Sequence, residues 1–383
     1  MPSKIEWTEE TWNVVVGCTR VSAGCDHCYA IREAHRLAGN PNGKIAGTFE
    51  GLTTVKKRGL DWTGDIVFPA GRMTQPLHWR TPRRVFVNSM ADLFHPAVPD
   101  EMINRIFGVM ALCPQHTFQI LTKRPERMKD YINSAGRETL VWIEAYDRAV
   151  REKRSDHEYH KRNPVPWPLP NVWLGVSVEN EDTAEERLPL LQQLLAAVRF
   201  VSYEPALGPV DWERWLQPYC PRCRDSYESA DGQWAWLAGE LWPIHHCDEQ
   251  IPSPRWFECR PAIDWVICGG ESGSGARPMH IEWARSARDQ CVEHGIPFFF
   301  KQFGEWAPGF HHSPAEERAT RSIMLSTDGD RFDGEAGQDL LDFCRAHRDV
   351  FPFYRWGKKV NGRLLDGREW SQFPTPRTEV AGG

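Results

Sequence analysis

The sequence lacks any long uninterrupted apolar run, and this absence excludes a membrane-spanning helix. Its first residues, MPSKIEWTEETW, contain no apolar signal-peptide core, so we expect a cytoplasmic protein. Fixed-period repeats and low-complexity tracts are also absent. With 18 Trp and 18 Phe among 383 residues, the chain has the opposite composition to a disordered protein. Its net charge of −6 means that a nucleic-acid partner would need a local basic cleft.

The chain contains 11 cysteines, and we expect no export signal. In a reducing cytosol these residues do not form a disulfide framework. Clustered cysteines therefore indicate metal binding or catalysis.

Short apolar runs alternate with helical patterns, including those that start at Asp100 and Thr183 and the one over Glu282–His294. The runs are continuous, as is typical of strands covered on both faces, and their order predicts parallel pairing. We therefore expect an α/β fold, a complete or partial (β/α) TIM-like barrel, with an open doubly wound sheet as the alternative. The predicted strands are Val14–Gly17, Val85–Asn88, Phe118–Thr122, Val172–Val178, Arg199–Tyr203, Trp265–Gly269 and Pro297–Lys301.

Three stretches depart from this alternation. Residues 39–84 are rich in Gly and Pro and predict an elaboration between the first two units, and residues 211–263 form a cysteine-rich insertion. We expect the barrel to occupy residues 1–304 and a C-terminal extension, with a helix at about 334–350, to pack on it as residues 305–383.

Polar residues follow most of the predicted strands. Because barrels and open α/β sheets build their sites at the carboxyl ends of strands, these residues predict a shared cleft, although polar loops are also common there. The runs are Asn88–Asp92, Thr122–Arg124, Ser177–Asn180, Glu204–Pro205, Gly269–Ser272 and Lys301–Gln302.

Three cysteines, Cys18, Cys25 and Cys28, follow the first predicted strand with the spacing C-x6-C-x2-C and precede a predicted helix at Tyr29–Ala38. Thiolates are soft ligands that select zinc or iron–sulfur clusters. One interpretation is a closed zinc site completed by His27 or a distant ligand. The other is a [4Fe–4S] cluster held by three cysteines with one iron left open, and the position at the mouth of the barrel favours it.

A second cysteine group lies in the insertion and predicts a tetrahedral zinc site that would help this segment fold. Its members are Cys220, Cys223, Cys247 and Cys259, with His245 or His246 as alternatives to Cys247. A second iron–sulfur cluster and unligated thiols are the other interpretations. The remaining cysteines, Cys113, Cys268, Cys291 and Cys344, are expected to be buried small hydrophobic residues.

A three-cysteine loop after the first strand of a (β/α) barrel resembles the radical S-adenosylmethionine (SAM) superfamily, and the chain as a whole resembles its phage three-cysteine-motif proteins. The usual spacing in that superfamily is C-x3-C-x2-C, from which this loop departs. The resemblance implies a [4Fe–4S] enzyme that cleaves SAM and abstracts hydrogen from a substrate. The matching segments are Gly17–Ala30, Asn88–Pro96, Leu121–Arg127, Trp173–Asn180, Tyr203–Asp211, Trp265–Pro278 and Phe298–Gly304.

The resemblance also implies roles for individual residues, for each of which a cap or turn is the alternative. His27 would back the adenine, Asp92 would bind the SAM ammonium, and Ser177, Glu179 and Asn180 would contact the ribose. The implied cofactor-binding set is His27, Tyr29, Asn88, Ser89, Asp92, Ser177, Glu179, Asn180, Gly269, Gly270 and Glu271. The expected substrate-binding residues are Lys123, Arg124, Glu204, Lys301 and Gln302.

Basic clusters near aromatic residues are typical of proteins that hold single strands or extruded bases, although a solvated surface gives the same pattern. Together with the phage resemblance, they suggest an isomerase that acts on a modified thymine in DNA, with a glycyl-thymine side chain as the candidate substrate, in the cytoplasm of an infected host. An electron donor is then a required partner. The alternatives are a radical SAM enzyme for a small molecule or protein and a non-catalytic, metal-stapled nucleic-acid-binding protein.

Overall fold

The computed structural model describes residues 3, 5–57, 59–216, 218–219, 234–237, 240–243, 260–261, 263–309, 322–332 and 350–375. The second cysteine group lies outside the described residues, as do Cys344 and positions 334–349, where the sequence predicts a helix. None of the described helices is long and apolar enough to cross a membrane.

Seven parallel strands form the central sheet, and each pairs with the next in chain order. The sheet curls into a half-barrel that is compatible with a partial TIM-like barrel, so the α/β prediction is confirmed. A doubly wound sheet would reverse its strand order at a switch point, which this sheet does not do. The strands are β1 (Glu10–Trp12), β2 (Arg84–Val87), β3 (Thr117–Thr122), β4 (Val172–Val178), β5 (Val198–Tyr203), β6 (Trp265–Gly269) and β7 (Phe298–Gln302).

Six of the strands overlap the predicted runs, but the predicted first strand, Val14–Gly17, is wrong. The strand pairing ends after β1: the Asn88 backbone N–H still donates to the Trp12 carbonyl at 3.0 Å, but the Val15 N–H donates to the Asn88 side-chain Oδ1, also at 3.0 Å, and not to a strand carbonyl. The apolar run is buried all the same, since Val16 pairs with Val67 of the elaboration in an antiparallel bridge.

Helices connect the strands and cover one face of the sheet. The sequence explains their starts, because α7 (Glu181–Gln192) begins with a capping box between Asn180 and Thr183 and α3 (Asp100–Ala111) has two acidic residues in its first turn. The helices are α1 (Tyr29–Ala38), α2 (Gly43–Phe49), α3 (Asp100–Ala111), α4 (Pro125–Ile132), α5 (Arg137–Arg151), α6 (His157–Arg162), α7 (Glu181–Gln192), α8 (Glu213–Leu216), α9 (Ile281–Glu293) and α10 (Lys358–Asn361), with 3-10 turns at Ala23–Cys25 and Gln75–His78.

The remaining strands form small antiparallel sheets. Thr53–Lys56 and Gly59–Trp62 form a hairpin within the predicted elaboration. In the insertion, Pro218–Tyr219 pairs with Arg260–Pro261, and Trp234–Leu237 pairs with Glu240–Pro243. The C-terminal extension contributes a sheet of Trp306–Pro308, Ser322–Ser326, Arg331–Phe332 and Val350–Arg355, and a hairpin of Leu364–Leu365 and Arg368–Glu369.

The face of the sheet that the helices leave open is filled at its lower end by aromatic side chains. Trp7 contacts Phe86 at a ring-centroid distance of 4.8 Å, and Trp265 contacts Phe299 at 6.1 Å. Edge-to-face contacts of this kind add to the energy of burial. The inside of the half-barrel is therefore packed at its base, and polar side chains gather at the carboxyl ends of the strands.

Candidate functional site

An open cleft with a volume of about 140 Å³ lies at the carboxyl ends of β2, β3 and β4. Clefts in which a few polar side chains converge are candidate ligand sites. All three cysteines of the predicted loop line it, which places them at the mouth of the half-barrel as the sequence predicts. Seven further predicted site residues line the same cleft: Tyr29, Asn88, Ser89, Asp92, Lys123, Arg124 and Ser177.

The three cysteines are free and partly exposed, with Cys25 ending a 3-10 turn and Cys28 preceding the first residue of α1. Burial, and then the charge of Asp92, raise the pKa of the Cys18 thiol to about 12, against the opposing effect of Arg124. Burial also raises the pKa of Cys28. Coordination to a metal deprotonates such thiols. In the described part of the chain, no three His, Cys, Asp or Glu side chains form a group that could hold a single metal ion.

Arg124 is fixed beside Cys18 by contacts on both of its terminal nitrogens. Its Nη1 donates to Asp92 Oδ2 at 2.8 Å and lies 3.9 Å from the Cys18 Sγ. Its Nη2 donates to the carbonyl and hydroxyl oxygens of Thr19, at 3.1 and 2.8 Å. A positive charge therefore touches one sulfur of the cleft.

Asp92 orients Arg124 with a carboxylate whose acceptor positions are filled. Its Oδ1 accepts from Thr122 Oγ1 at 2.7 Å and from the Phe94 N–H at 2.9 Å. Its Oδ2 accepts from the Lys123 N–H at 3.2 Å and from Arg124. A carboxylate has about four such positions, so in this conformation Asp92 has none left for the ammonium group that the family resemblance assigns to it.

His95 contacts this network through Thr19. Its Nε2 lies 3.0 Å from Thr19 Oγ1, and its Nδ1 accepts from the Ala97 N–H at 3.2 Å, which places the ring proton on Nε2. Burial lowers the pKa of His95, and the charge of Arg124 lowers it further. The ring is therefore neutral and donates to Thr19.

Glu179, after β4, anchors the cysteine loop, which we define as residues 17–28. This carboxylate is buried and accepts hydrogen bonds from Ser22 Oγ at 2.9 Å, from Lys123 Nζ and from Arg187 Nη1. Burial raises its pKa, but Lys123 and Arg187 lower it more, so the net pKa lies below the usual range. A Cβ on Gly24 would lie 2.6 Å from Glu179 Oε1, so any larger residue there would have to displace this buried carboxylate.

The loop after β6 holds the cysteine loop from the other side. Arg277 forms a two-pronged ion pair with Glu271 and also donates to the Ala23 carbonyl at 2.9 Å. The His27 ring packs on Gly275, where a Cβ would lie 2.5 Å from Nδ1. His27 and Glu271 thus hold the loop in place and do not line the cleft.

The elaboration supplies a third support, which no local sequence pattern indicates. Arg20 lines the cleft, and it donates to the carbonyls of Cys25 and Asp26 and to Asp61 Oδ1 of the hairpin at 2.8 Å. Hydrogen bonds from Lys56 and Arg20 lower the pKa of Asp61 to about 2, against the opposing effect of burial. Trp62 of the same hairpin also lines the cleft.

Asn88 lines the cleft and has an unsatisfied polar group that is itself buried. Its φ of 62° is left-handed, and its Oδ1 accepts from the Val15 N–H at 3.0 Å. Its buried Nδ2 has no hydrogen-bond partner among the described residues. A buried amide without a partner costs free energy, so this donor suits a bound ligand. Tyr29 nearby donates to the Ser89 carbonyl at 2.7 Å.

Several predicted site residues lie outside the cleft, with other contacts. Asn180 caps α7 and accepts from the Thr183 N–H. Gly270 allows close packing, because a Cβ there would lie 1.9 Å from the Phe303 carbonyl oxygen. Glu204 is ion-paired with Lys301, and Gln302 donates to Ser272 Oγ. Gly269 approaches the Lys301 side chain. These residues pack and link the strand ends.

One comparison with known proteins finds a match. Residues 2–374 match the model of a family described as a protein of unknown function, DUF5131. No curated protein and no solved structure matches the chain.

Proposed function

The chain therefore belongs to this family of unknown function, DUF5131, and we propose that it is a radical SAM enzyme. The observation that carries the proposal is the convergence of Cys18, Cys25 and Cys28 on one cleft at the carboxyl ends of parallel strands. Iron–sulfur clusters are held by cysteine thiolates. The buried Asn88 amide, which lacks a partner among the described residues, supports a second ligand in the same cleft.

The residues present fit both groups. The three thiols would hold a [4Fe–4S] cluster, and Tyr29, Asn88, Ser89 and Ser177 would contact SAM from the cleft wall. When both are bound, they supply the one-electron chemistry that starts hydrogen abstraction from the substrate. Arg124 places a positive charge at the Cys18 sulfur. Glu179, Arg20 and Arg277 hold the cysteine loop in position.

The proposed substrate is a modified thymine in DNA, on which the enzyme would act as an isomerase with electrons from a donor protein. This part of the proposal is supported by the family resemblance described from the sequence. The three cationic residues that line the cleft, Arg20, Lys123 and Arg124, are each ion-paired within the protein. DNA would therefore have to displace the carboxylates that pair with these three residues, or bind to other residues.

Anaerobic reconstitution with iron and sulfide tests the enzymatic proposal. We expect the visible absorbance of a [4Fe–4S] cluster and, with SAM and a reductant, formation of 5′-deoxyadenosine. Cys25→Ala should abolish both signals. Cys113→Ala is the matched control, because Cys113 is buried away from the cleft, and it should retain both. A wild-type protein that binds only zinc and yields no 5′-deoxyadenosine would refute the proposal.

The substrate is tested separately, with the reconstituted enzyme. Duplex and single-stranded DNA that carries glycyl-thymine should stimulate SAM cleavage, whereas the same DNA with ordinary thymine should not. Equal SAM cleavage with and without either DNA would reject DNA as the substrate and would favour a small molecule or a protein.

A further inference from the structure

Arg124 is a charged side chain in direct contact with a cysteine sulfur of the cleft, with its Nη1 3.9 Å from the Cys18 Sγ. Its side chain is only 12% exposed, so solvent screens its charge weakly. The contact is therefore electrostatically significant for anything that the sulfur binds.

The position of Arg124 is set by its neighbours. Asp92 accepts from Nη1, and the two oxygens of Thr19 accept from Nη2, so both ends of the guanidinium fork are held. Asp92 is in turn held by Thr122 and by two backbone N–H groups. Asp92, Thr122 and Arg124 lie in two short segments at the ends of neighbouring strands, β2 and β3.

The Asp92 carboxylate acts on Cys18 with a charge opposite to that of Arg124. Without Arg124, a buried negative charge would remain near the sulfur and would lose the cation that balances it. Negative charge near an iron–sulfur cluster disfavours its reduction, while hydrogen bonds to its sulfur ligands favour reduction. Arg124 balances the negative charge of Asp92 and also donates to the sulfur, so both of its effects favour reduction of the cluster.

We propose that Arg124 is a positioning residue that raises the reduction potential of an iron–sulfur cluster bound at Cys18, by balancing Asp92 and donating an N–H group to the sulfur. This inference rests on the proposed function and adds to it the means by which the cleft tunes electron transfer. The contact is close and shielded from solvent, so an effect of about tenfold on the reduction equilibrium is expected.

The test is a redox titration of the reconstituted protein, followed by electron paramagnetic resonance and without SAM turnover. In Arg124→Gln the midpoint potential should become more negative, with the equilibrium constant for reduction about tenfold smaller, which is about 59 mV for a one-electron couple. Arg124→Lys keeps the charge but loses the rigid fork. It should show a smaller shift of the same sign.

Arg127→Gln is the matched control. Arg127 lies one helical turn further along and pairs with Asp100 and with the carbonyls of His95 and Val98. Arg127→Gln therefore removes the same charge as Arg124→Gln but breaks no contact with the cysteines. It should leave the potential close to that of the wild type.

The outcomes separate the two proposals. A cluster whose potential is unchanged in both Arg124 variants, or shifts equally in Arg127→Gln, would overturn the role of Arg124 while leaving the enzymatic proposal intact. If Arg124→Gln fails to retain iron, the decision rests on Arg124→Lys, for which an unchanged potential would also overturn it. A wild-type protein that assembles no iron–sulfur cluster would refute the proposed function and this inference together.

Discussion

At the scale of single residues, Gly17 begins the cysteine loop in a backbone conformation that other residues rarely adopt. Its φ is +96°, and a Cβ would lie 2.1 Å from the backbone carbonyl oxygen of Asp65. A side-chain rotation would relieve neither the backbone strain nor the clash, because the clashing atom belongs to the backbone of Asp65.

We expect Gly17→Ala to lower the free energy of unfolding by roughly 1–3 kcal/mol, the usual cost of a strained backbone residue, or more because of the clash. Gly47→Ala is the control, because Gly47 lies in α2 and a Cβ there would have no other atom within 4 Å. It should stabilise the protein by about 0.5–1 kcal/mol. Chemical denaturation measures both changes, and equal effects would contradict this account of Gly17.

His95 makes stability depend on pH. Its pKa in the folded protein is lowered by burial and by Arg124 and Arg127, against the opposing charge of Asp92. The unfolded chain therefore binds a proton more readily near pH 6.5, about the ordinary pKa of histidine. This contribution to stability is complete above about pH 6.5 and declines as the pH falls towards the folded pKa.

We expect His95→Gln to reduce the loss of stability between about pH 7 and about pH 5, because glutamine does not titrate. Denaturation curves at several pH values measure the slope. An unchanged slope in the variant would show that other groups set it.

At the scale of elements, the cysteine loop is held by the ends of β4 and β6 and by the hairpin of the elaboration. Glu179 is the most buried of these supports, and it balances two cations, Lys123 and Arg187. Removing one partner of a buried charge cluster leaves the others uncompensated, which typically costs about 3–5 kcal/mol. The anchor to Ser22 would be weakened at the same time.

Glu179→Gln should therefore lower the free energy of unfolding by about 3 kcal/mol and reduce iron retention by the reconstituted protein. Glu185→Gln breaks an exposed pair with Arg214 on a later helix and should change stability by less than about 1 kcal/mol. Urea denaturation and iron analysis compare the two variants. A similar small effect in both would mean that Glu179 does not anchor the loop.

The same elements show what the sequence can predict. Strands β2–β7 are recognisable because each is a continuous apolar run, and α1 because it follows the cysteine loop directly. The first strand is not recognisable, since its sequence Glu10–Trp12 is more polar than the adjacent Val14–Val16, which is buried by contact with Val67. Long-range contacts such as those of Arg20 leave no local signal, because the partner Asp61 is 41 residues away. The role of Asn180, by contrast, does have a local signal. Its sequence context offers a helix cap as the alternative to ribose binding, and Asn180 caps α7.

At the scale of the whole molecule, the chain covers one open edge of the half-barrel with its own C-terminal segment. The Phe300 N–H donates to the Trp370 carbonyl at 2.9 Å, and the Gln372 N–H donates to the Phe298 carbonyl at 3.2 Å. This segment therefore satisfies backbone groups of β7 that would otherwise be exposed. Unpaired edge strands promote association with other chains.

Phe373 follows the paired residues of this segment and packs against the aromatic base of the half-barrel. Its ring lies 5.1 Å from that of Trp265 and 4.1 Å from the guanidinium carbon of Arg84, at the start of β2. It thus links residues from three distant parts of the sequence. The contact combines apolar burial with a cation–π interaction.

We expect Phe373→Ala to lower the free energy of unfolding by about 2 kcal/mol, since the ring is partly buried and truncation of a fully buried Phe costs about 3–5 kcal/mol. It should also increase concentration-dependent association, because the segment that covers β7 is less firmly held. Leu364→Ala is the control, as Leu364 is 53% exposed in the neighbouring hairpin. Thermal unfolding and light scattering at several concentrations measure both properties. If the two variants behave alike, the C-terminal segment packs on the sheet without stabilising its edge.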